Sequence, residues 1–419
     1  MEEQLINKVM VNEIKPSIGC TEPSAIAYTV ANAKKYVENG DEIKNVRVLL
    51  STNVLKNALC VTLPNTTLHG VELIVILGLM CENIEDRLTI FRGINKNILK
   101  KALEYQKEVN VEIDVIESVN PLYIQVNIET NKHKIMTVMI NEHDDIKKIV
   151  VDENIIINKK IDYDESICKI DKLKYDNILS FIKGHNYNID LMKNVEKSNL
   201  KIADYGMKNK TGMNIGNTIK SNNIFKSEFD NVISKTVAGI DSRMSGVMKK
   251  VYINSGSGNQ GITATIPIIE MAKILNVDDS IKYQALALSH LTAIYIHSKQ
   301  NKLSSTCGAV IASCGVAAGI CYMLGGTDEQ IKGAILNTLC SNFGIFCDGA
   351  KETCSFKVMS VVSTAINSAY LAKSGVFVNK NLGIISTDFE KTLDVLTTIE
   401  HEMTKRLDST IMKAAMNNK

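Results

Sequence analysis

Three cysteines of this chain share one local setting. Cys20 stands in S-I-G-C-T-E-P-S (17–24), Cys307 in S-S-T-C-G-A-V (304–310) and Cys347 in F-C-D-G-A-K-E-T-C (346–354). Each thiol lies in or beside a polar turn at a helix entrance. The partial positive charge at a helix N-terminus stabilises a thiolate there. Such a thiolate is either a nucleophile or a metal ligand. Thr21 reads as the N-cap of the first helix, with Glu22 and Pro23 in its first turn. Three convergent thiolates can hold an iron–sulfur cluster and leave one iron open. None of the three has C-x-x-C spacing, which argues against a zinc ribbon.

The remaining cysteines divide by surroundings. Cys314 and Cys321 follow Cys307 at intervals of seven. A helix rises about 10 Å over seven residues, so these three cannot share one compact metal centre. Cys314 and Cys321 are therefore expected to pack the core. Cys354 begins the helix after the last turn. Cys60, Cys81, Cys168 and Cys340 sit in apolar or plain surroundings and read as structural. The acidic, polar start MEEQLINK is no signal peptide. It points to the cytoplasm, where thiols stay reduced and a disulfide framework is not expected.

A second kind of chemistry is offered by N-S-G-S-G-N-Q-G (254–261). Ser255, Gly256, Ser257, Gly258, Asn259 and Gln260 run into a helix N-terminus. Exposed backbone N–H groups and small side chains make an anion cradle there, suited to the carboxylate or phosphate of a small molecule. A plain helix-capping loop explains the stretch equally well. No strand–turn–helix unit with a following acid surrounds it, which excludes a dinucleotide fingerprint. Arg243, in D-S-R-M-S-G (241–246), can grip a carboxylate bidentately, or can pair with Asp241. Lys56 and His69 are the two candidates for a general base. Lys351 and Lys357 flank the last cysteine motif and can balance negative charge. His185, His290, His297 and His401 fall on helical segments and carry no assigned role.

The elements that must position these groups follow from periodicity. The 419 residues exceed one ordinary core, and 22% charged with 45% hydrophobic residues is a soluble composition. A net charge of +2 leaves no electrostatic footprint for nucleic acid. Residues 1–44 read as two helical pieces broken at Lys15-Pro16. Residues 45–160 read as an α+β domain with an antiparallel sheet: strands at 45–51, 109–116, 122–130, 134–141 and 147–157, helices at 68–81 and 94–108. Residues 161–419 read as a larger all-α domain packed on it. Helices are expected there at 224–250, 262–275, 280–299, 304–324, 328–343, 354–374 and 388–415. Ser304–Gly326 holds no charge and is long enough to span a bilayer, but its Ala, Gly, Ser and Cys content predicts a buried helix packed through glycines instead of a membrane span.

With these motifs in place, the chain resembles the L-cysteine desulfidase family, related to the catalytic chain of iron–sulfur L-serine dehydratases. The resemblance rests on G-C-T-E-P-S-A-I-A (19–27), D-S-R-M-S-G (241–246), S-G-S-G-N-Q-G-I-T-A (255–264), T-C-G-A-V-I-A-S-C-G (306–315) and C-D-G-A-K-E-T-C (347–354), and runs through most of the chain. It implies an oxygen-sensitive [4Fe–4S] cluster held by Cys20, Cys307 and Cys347, with Cys354 as a reserve ligand. It implies elimination from L-cysteine, giving sulfide, ammonia and pyruvate; the alternatives are dehydration of L-serine at the same site, or a non-catalytic iron–sulfur sensor. The partner is then a small amino acid, with no nucleic acid and no membrane; a homo-oligomer is left open. The stretch S-T-N-V-L-K-N-A-L-C-V-T-L-P-N-T-T (51–67) departs from the Gly- and Pro-rich run associated with that family, which bears on the substrate entrance.

Overall fold

Alternating β-branched residues build the N-terminal sheet. The computed structural model describes residues 2–117, 120–160, 170–224, 226–300 and 303–417. Among them, β1 (Pro16–Ile18) pairs antiparallel with β8 (Lys250–Tyr252). The other strands are β2 (Ile43–Ser51), β3 (Asn110–Ile116), β4 (Tyr123–Thr130), β5 (Lys134–Ile140), β6 (Ile146–Val151) and β7 (Asn154–Asn158), in the order β3-β2-β4-β5-β6-β7. In the β2–β4 register Val46 faces Ile128, Val48 faces Val126 and Leu50 faces Ile124. All six are buried, so one sheet face is apolar and packs under helices Thr21–Lys34 and Val71–Leu79.

The sheet is antiparallel except at one pair. β2 and β3 run parallel. A parallel pair needs a long crossover, supplied by helices Thr52–Ala58, Val71–Leu79 and Lys96–Tyr105 and the 3₁₀ segment Ile84–Gly93. The expected single strand at 147–157 is instead a hairpin of β6 and β7. Asp152 and Glu153 turn it at φ 48° and 71°, the left-handed pair a tight hairpin requires.

Among the described residues the C-terminal part is all-helical, apart from the short β8. Its helices are Tyr175–Lys183, Ile189–Lys208, Ile215–Asn222, Asp230–Met244, Gly258–Ile274, Asp279–Ser298, Gly308–Met323, Asp328–Asn342, Cys354–Lys373 and Phe389–Asn417. The helix expected at 224–250 is the shorter Asp230–Met244, followed by β8. Helix Gly308–Met323 runs through the core and buries Cys314 and Cys321 completely. A Cβ on its Gly315 would lie 2.1 Å from the Ser289 carbonyl oxygen, so glycine alone permits this approach to helix Asp279–Ser298. No helix among the described residues is long and apolar enough to cross a membrane. Cys60 and Cys340 are exposed, unlike buried structural thiols; Cys168 and the 160/161 boundary touch residues outside the described ones.

Both terminal segments help join the sheet core to the helical core. Helix Glu2–Glu13 buries Ile6, Val9 and Met10 in the helical core, whereas helix Thr21–Lys34 buries Ala25, Ile26 and Val30 in the sheet core. The turn carrying Cys20 lies between them. The last helix places Leu393 and Leu396 in the helical core and Met412 in the sheet core.

Candidate metal centre

The β1–β8 pair explains why two distant stretches meet. β1 leads into Cys20 and β8 leads into the serine–glycine loop. Beyond the pair, Ile253 donates its amide to the Lys15 carbonyl (2.8 Å) and Ser255 to the Glu13 carbonyl (3.1 Å). Gly19, at φ +73°, turns the chain from β1 into the helix, and its missing side chain leaves room for Pro64. Cys20 is itself the N-cap, in extended conformation, and Thr21 is the first helical residue, so the helix starts one residue earlier than the capping preference predicts.

Cys307 is likewise an N-cap, of helix Gly308–Met323. Its turn is bonded to that of Cys347. The Cys307 amide donates to the Ile345 carbonyl (3.1 Å), and the Cys347 amide to the Ser305 carbonyl (2.7 Å). Cys354 opens helix Cys354–Lys373. Gly349, at φ +94°, shapes the turn between these thiols.

These elements converge on one cavity of about 100 Å³. Cys20, Cys307, Cys347 and Cys354 line it with Arg243, Ser255, Gly256, Ser257, Asn259 and Gln260. Gly258 lies behind the wall, where a Cβ would fall 2.2 Å from Arg243 Nε. The guanidinium thus lies against bare backbone. Its Nη1 donates to Asn259 Oδ1 (2.9 Å), while Nε is buried without a hydrogen-bond partner. The alternative partner, Asp241, is engaged elsewhere: it accepts from Ser355 Oγ (2.6 Å) and the Gly216 amide (2.9 Å). Ser257 caps helix Gly258–Ile274 by accepting from the Gln260 amide (3.2 Å), and Gln260 Nε2 donates to Asn254 Oδ1 (2.8 Å). Capping and cavity lining therefore coexist in this loop.

Electrostatics differ from the expectation drawn from helix ends. Burial pushes the Cys20 thiol up to about 12 against the pull of Arg243. Burial, then the neighbouring Cys347 and Cys354, push Cys307 up to about 12. Burial raises Cys354 as well. Desolvation outweighs the helix dipole here. Such groups remain protonated thiols at neutral pH until a cation displaces their protons. Four sulfur donors lining one cavity, Cys20 buried and the others partly buried, suit a soft iron–sulfur centre better than a hard oxygen-seeking cation. Lys351 and Lys357 both pair with Asp348, which offsets their charge.

Neither base candidate lines the cavity. Lys56 Nζ sits 2.5 Å from Asp408 Oδ1, with the two side chains 1% and 2% exposed. His69 is exposed on the surface. Other polar groups reach the site without a motif to announce them. Glu22 lines the cavity and accepts from Asn57 Nδ2 (3.0 Å) and Thr21 Oγ1 (3.0 Å). The buried His143, from the loop after β5, brings Nε2 to 3.9 Å from Glu22 Oε1, and its ring covers Gly256. Burial pushes the Glu22 carboxyl up, but His143 and Thr21 outweigh it and bring the pKa down to about 2. The position of Glu22 beside Cys20 was a usable signal; His143 had none, because only the sheet carries it to the loop.

Comparison with known proteins adds a family. Residues 95–413 match the family model described as serine dehydratase alpha chain. The chain is 34% identical over 423 residues to a UPF0597 protein of Clostridium perfringens, covering 99% of each. It is 33% identical over 398 residues to one from Clostridium botulinum, covering 93% of this chain and 91% of the relative. A UPF0597 protein of Porphyromonas gingivalis is 32% identical over 430 residues, covering 100% and 99%. The family-model match includes Arg243, the serine–glycine loop, Cys307, Cys347 and Cys354, and begins after Cys20.

Proposed function

This chain belongs to the serine dehydratase alpha chain family, and from that premise we propose that it is an iron–sulfur lyase acting on L-cysteine. The products are sulfide, ammonia and pyruvate. The observation that carries the reading is the convergence of four thiols, Arg243 and the serine–glycine loop on one cavity. Cys20, Cys307 and Cys347 hold a [4Fe–4S] cluster, with Cys354 in reserve. When bound, a cluster with one iron free of protein ligands supplies a Lewis acid for the leaving group on the β-carbon.

The protein's own residues handle the rest of the amino acid. Arg243 and the backbone of 255–260 receive the α-carboxylate. The ionised Glu22 carboxylate faces the α-ammonium. Loss of the α-proton and of the β-substituent gives an enamine, which tautomerises to an imine and takes up water to form pyruvate and ammonia. With L-serine the departing group is water in place of hydrogen sulfide. The family's description favours serine as the second reading.

Anaerobic purification with a two-substrate assay tests both. The protein is expected to be brown, with broad absorbance that bleaches in air, and to release sulfide from L-cysteine faster than it forms pyruvate from L-serine. The reverse preference replaces the first reading with the second. A colourless, iron-free anaerobic protein overturns both.

A further inference from the structure

Lys56 lies outside the cavity lining and holds another element in place. Its Nζ donates to the Cys347 carbonyl (3.0 Å) and to Asp408 Oδ1 (2.5 Å). The same short helix, Thr52–Ala58, grips the Cys347 turn twice more. Asn57 Oδ1 accepts from the Cys347 thiol at 3.9 Å, and the Lys56 carbonyl lies against Gly349, where a Cβ would fall only 2.5 Å away. Asp408 belongs to the last helix, Phe389–Asn417, and also accepts a hydrogen bond from Asn53. Two turns and one turn earlier on that helix, the buried Glu400 and the partly buried Thr404 receive the Ser305 amide at 3.1 and 3.2 Å. Ser305 is the residue whose carbonyl accepts from the Cys347 amide.

We propose that the last helix is a strap that positions Cys347 through the Asp408–Lys56 pair, with Lys56 as the positioning residue. Both ends of the Cys347 residue are fixed: its amide through Ser305 and its carbonyl through Lys56. The pair is buried, so its geometry is not loosened by water, and removal of one partner leaves the other charge stranded. The inference rests on the cluster reading only where it concerns iron. Its geometric content, restraint of the Cys347 turn, stands on the chain alone.

The test separates positioning from simple stability. Lys56→Met, Asp408→Met and the Lys56→Met/Asp408→Met double variant are prepared anaerobically as full chains. Iron content, Tm and the alkylation rate of each cysteine after iron removal are measured, the last by peptide mass spectrometry. Removing both charges relieves the stranded charge, so Tm in the double variant is expected to recover relative to Asp408→Met. Cys347 alkylation is nevertheless expected to stay roughly tenfold above wild type, since the donor to its carbonyl is gone. Cys20 and Cys307 keep their wild-type rates. Iron retention falls with Cys347 restraint, not with Tm. A wild-type Cys347 rate in the double variant overturns the strap, as does a uniform rise across all cysteines. Iron-free wild-type protein defeats the cluster reading while the alkylation rates still decide the strap.

Discussion

Cys307 and Cys347 are held in register by a single antiparallel bridge between Thr306 and Phe346, flanked by the two amide–carbonyl bonds of their turns. The bonds use backbone only, so either side chain can be removed without undoing the turn. Cys20 lines the same cavity from the turn that follows β1. The backbone of these turns therefore sets where the Cys307 and Cys347 side chains start, independently of whether a metal is bound.

Cys20→Ala, Cys307→Ala and Cys347→Ala are each expected to lose iron and the brown absorbance while keeping the far-UV circular dichroism of the wild type. The stability cost of each truncation in iron-free protein should be about 1 kcal/mol. Cys354→Ala is expected to retain colour if Cys354 is only a reserve ligand. Full iron content in any of the first three defeats the ligand assignment.

Arg243 makes a sharper case, because its neighbour is a glycine. Gly258→Ala would drive a methyl into the guanidinium. Loss of one charge-assisted contact is worth about 1.5–3 kcal/mol, or roughly 10- to 150-fold. Arg243→Lys and Gly258→Ala should both raise KM by that order with iron content unchanged. If Gly258→Ala leaves KM alone while Arg243→Lys raises it, the guanidinium does not act from its present position.

The sequence announced the thiols because their turns carry Ser, Thr, Gly and Asp beside helix starts, and such signals are local. It announced the sheet because Val46, Val48 and Leu50 alternate. It was silent on β1 and β8, three residues each, although their pairing brings Cys20 to Ser255. A pairing that short has no period to read. The same holds for Lys56 and His143, whose roles depend on what the fold places opposite them. The thiol pKa values inverted the local argument for a related reason: helix-end polarity is visible in sequence, burial is not.

His290 gives a pH signature. It is fully buried; Asn254 Nδ2 lies 3.0 Å from its Nδ1 and Thr265 Oγ1 lies 3.0 Å from its Nε2. Burial pulls its pKa down to about 3. The unfolded chain takes up this proton below about 6.5, the folded chain only near 3. Stability from this group is therefore full above about 6.5 and falls by about 1.4 kcal/mol per unit as pH drops towards 3. Urea unfolding of iron-free protein between pH 6.5 and 5 should lose about 2 kcal/mol more in wild type than in His290→Gln. Equal acid slopes would sink the assignment.

Glu22 is expected to favour a ligand that carries an amine. Its carboxylate is held near 2 by His143 and Thr21 in spite of burial, so it stays charged across the working pH range and lends no acid limb to the activity. It lies in the cavity wall with Arg243, and the pair matches the opposite charges of an amino-acid zwitterion. Glu22→Gln removes the charge and keeps the shape and the Asn57 contact. It should weaken L-cysteine roughly tenfold or more, while 3-mercaptopropionate, which lacks the amine, binds as it does to wild type. His143→Asn should move the same ratio in the same direction by a smaller factor, because the imidazole acts on Glu22 and does not line the cavity. The KM for L-cysteine and the inhibition constant of 3-mercaptopropionate, measured anaerobically at matched iron content, provide the check. If Glu22→Gln weakens both ligands equally, the carboxylate shapes the cavity and does not recognise the ammonium.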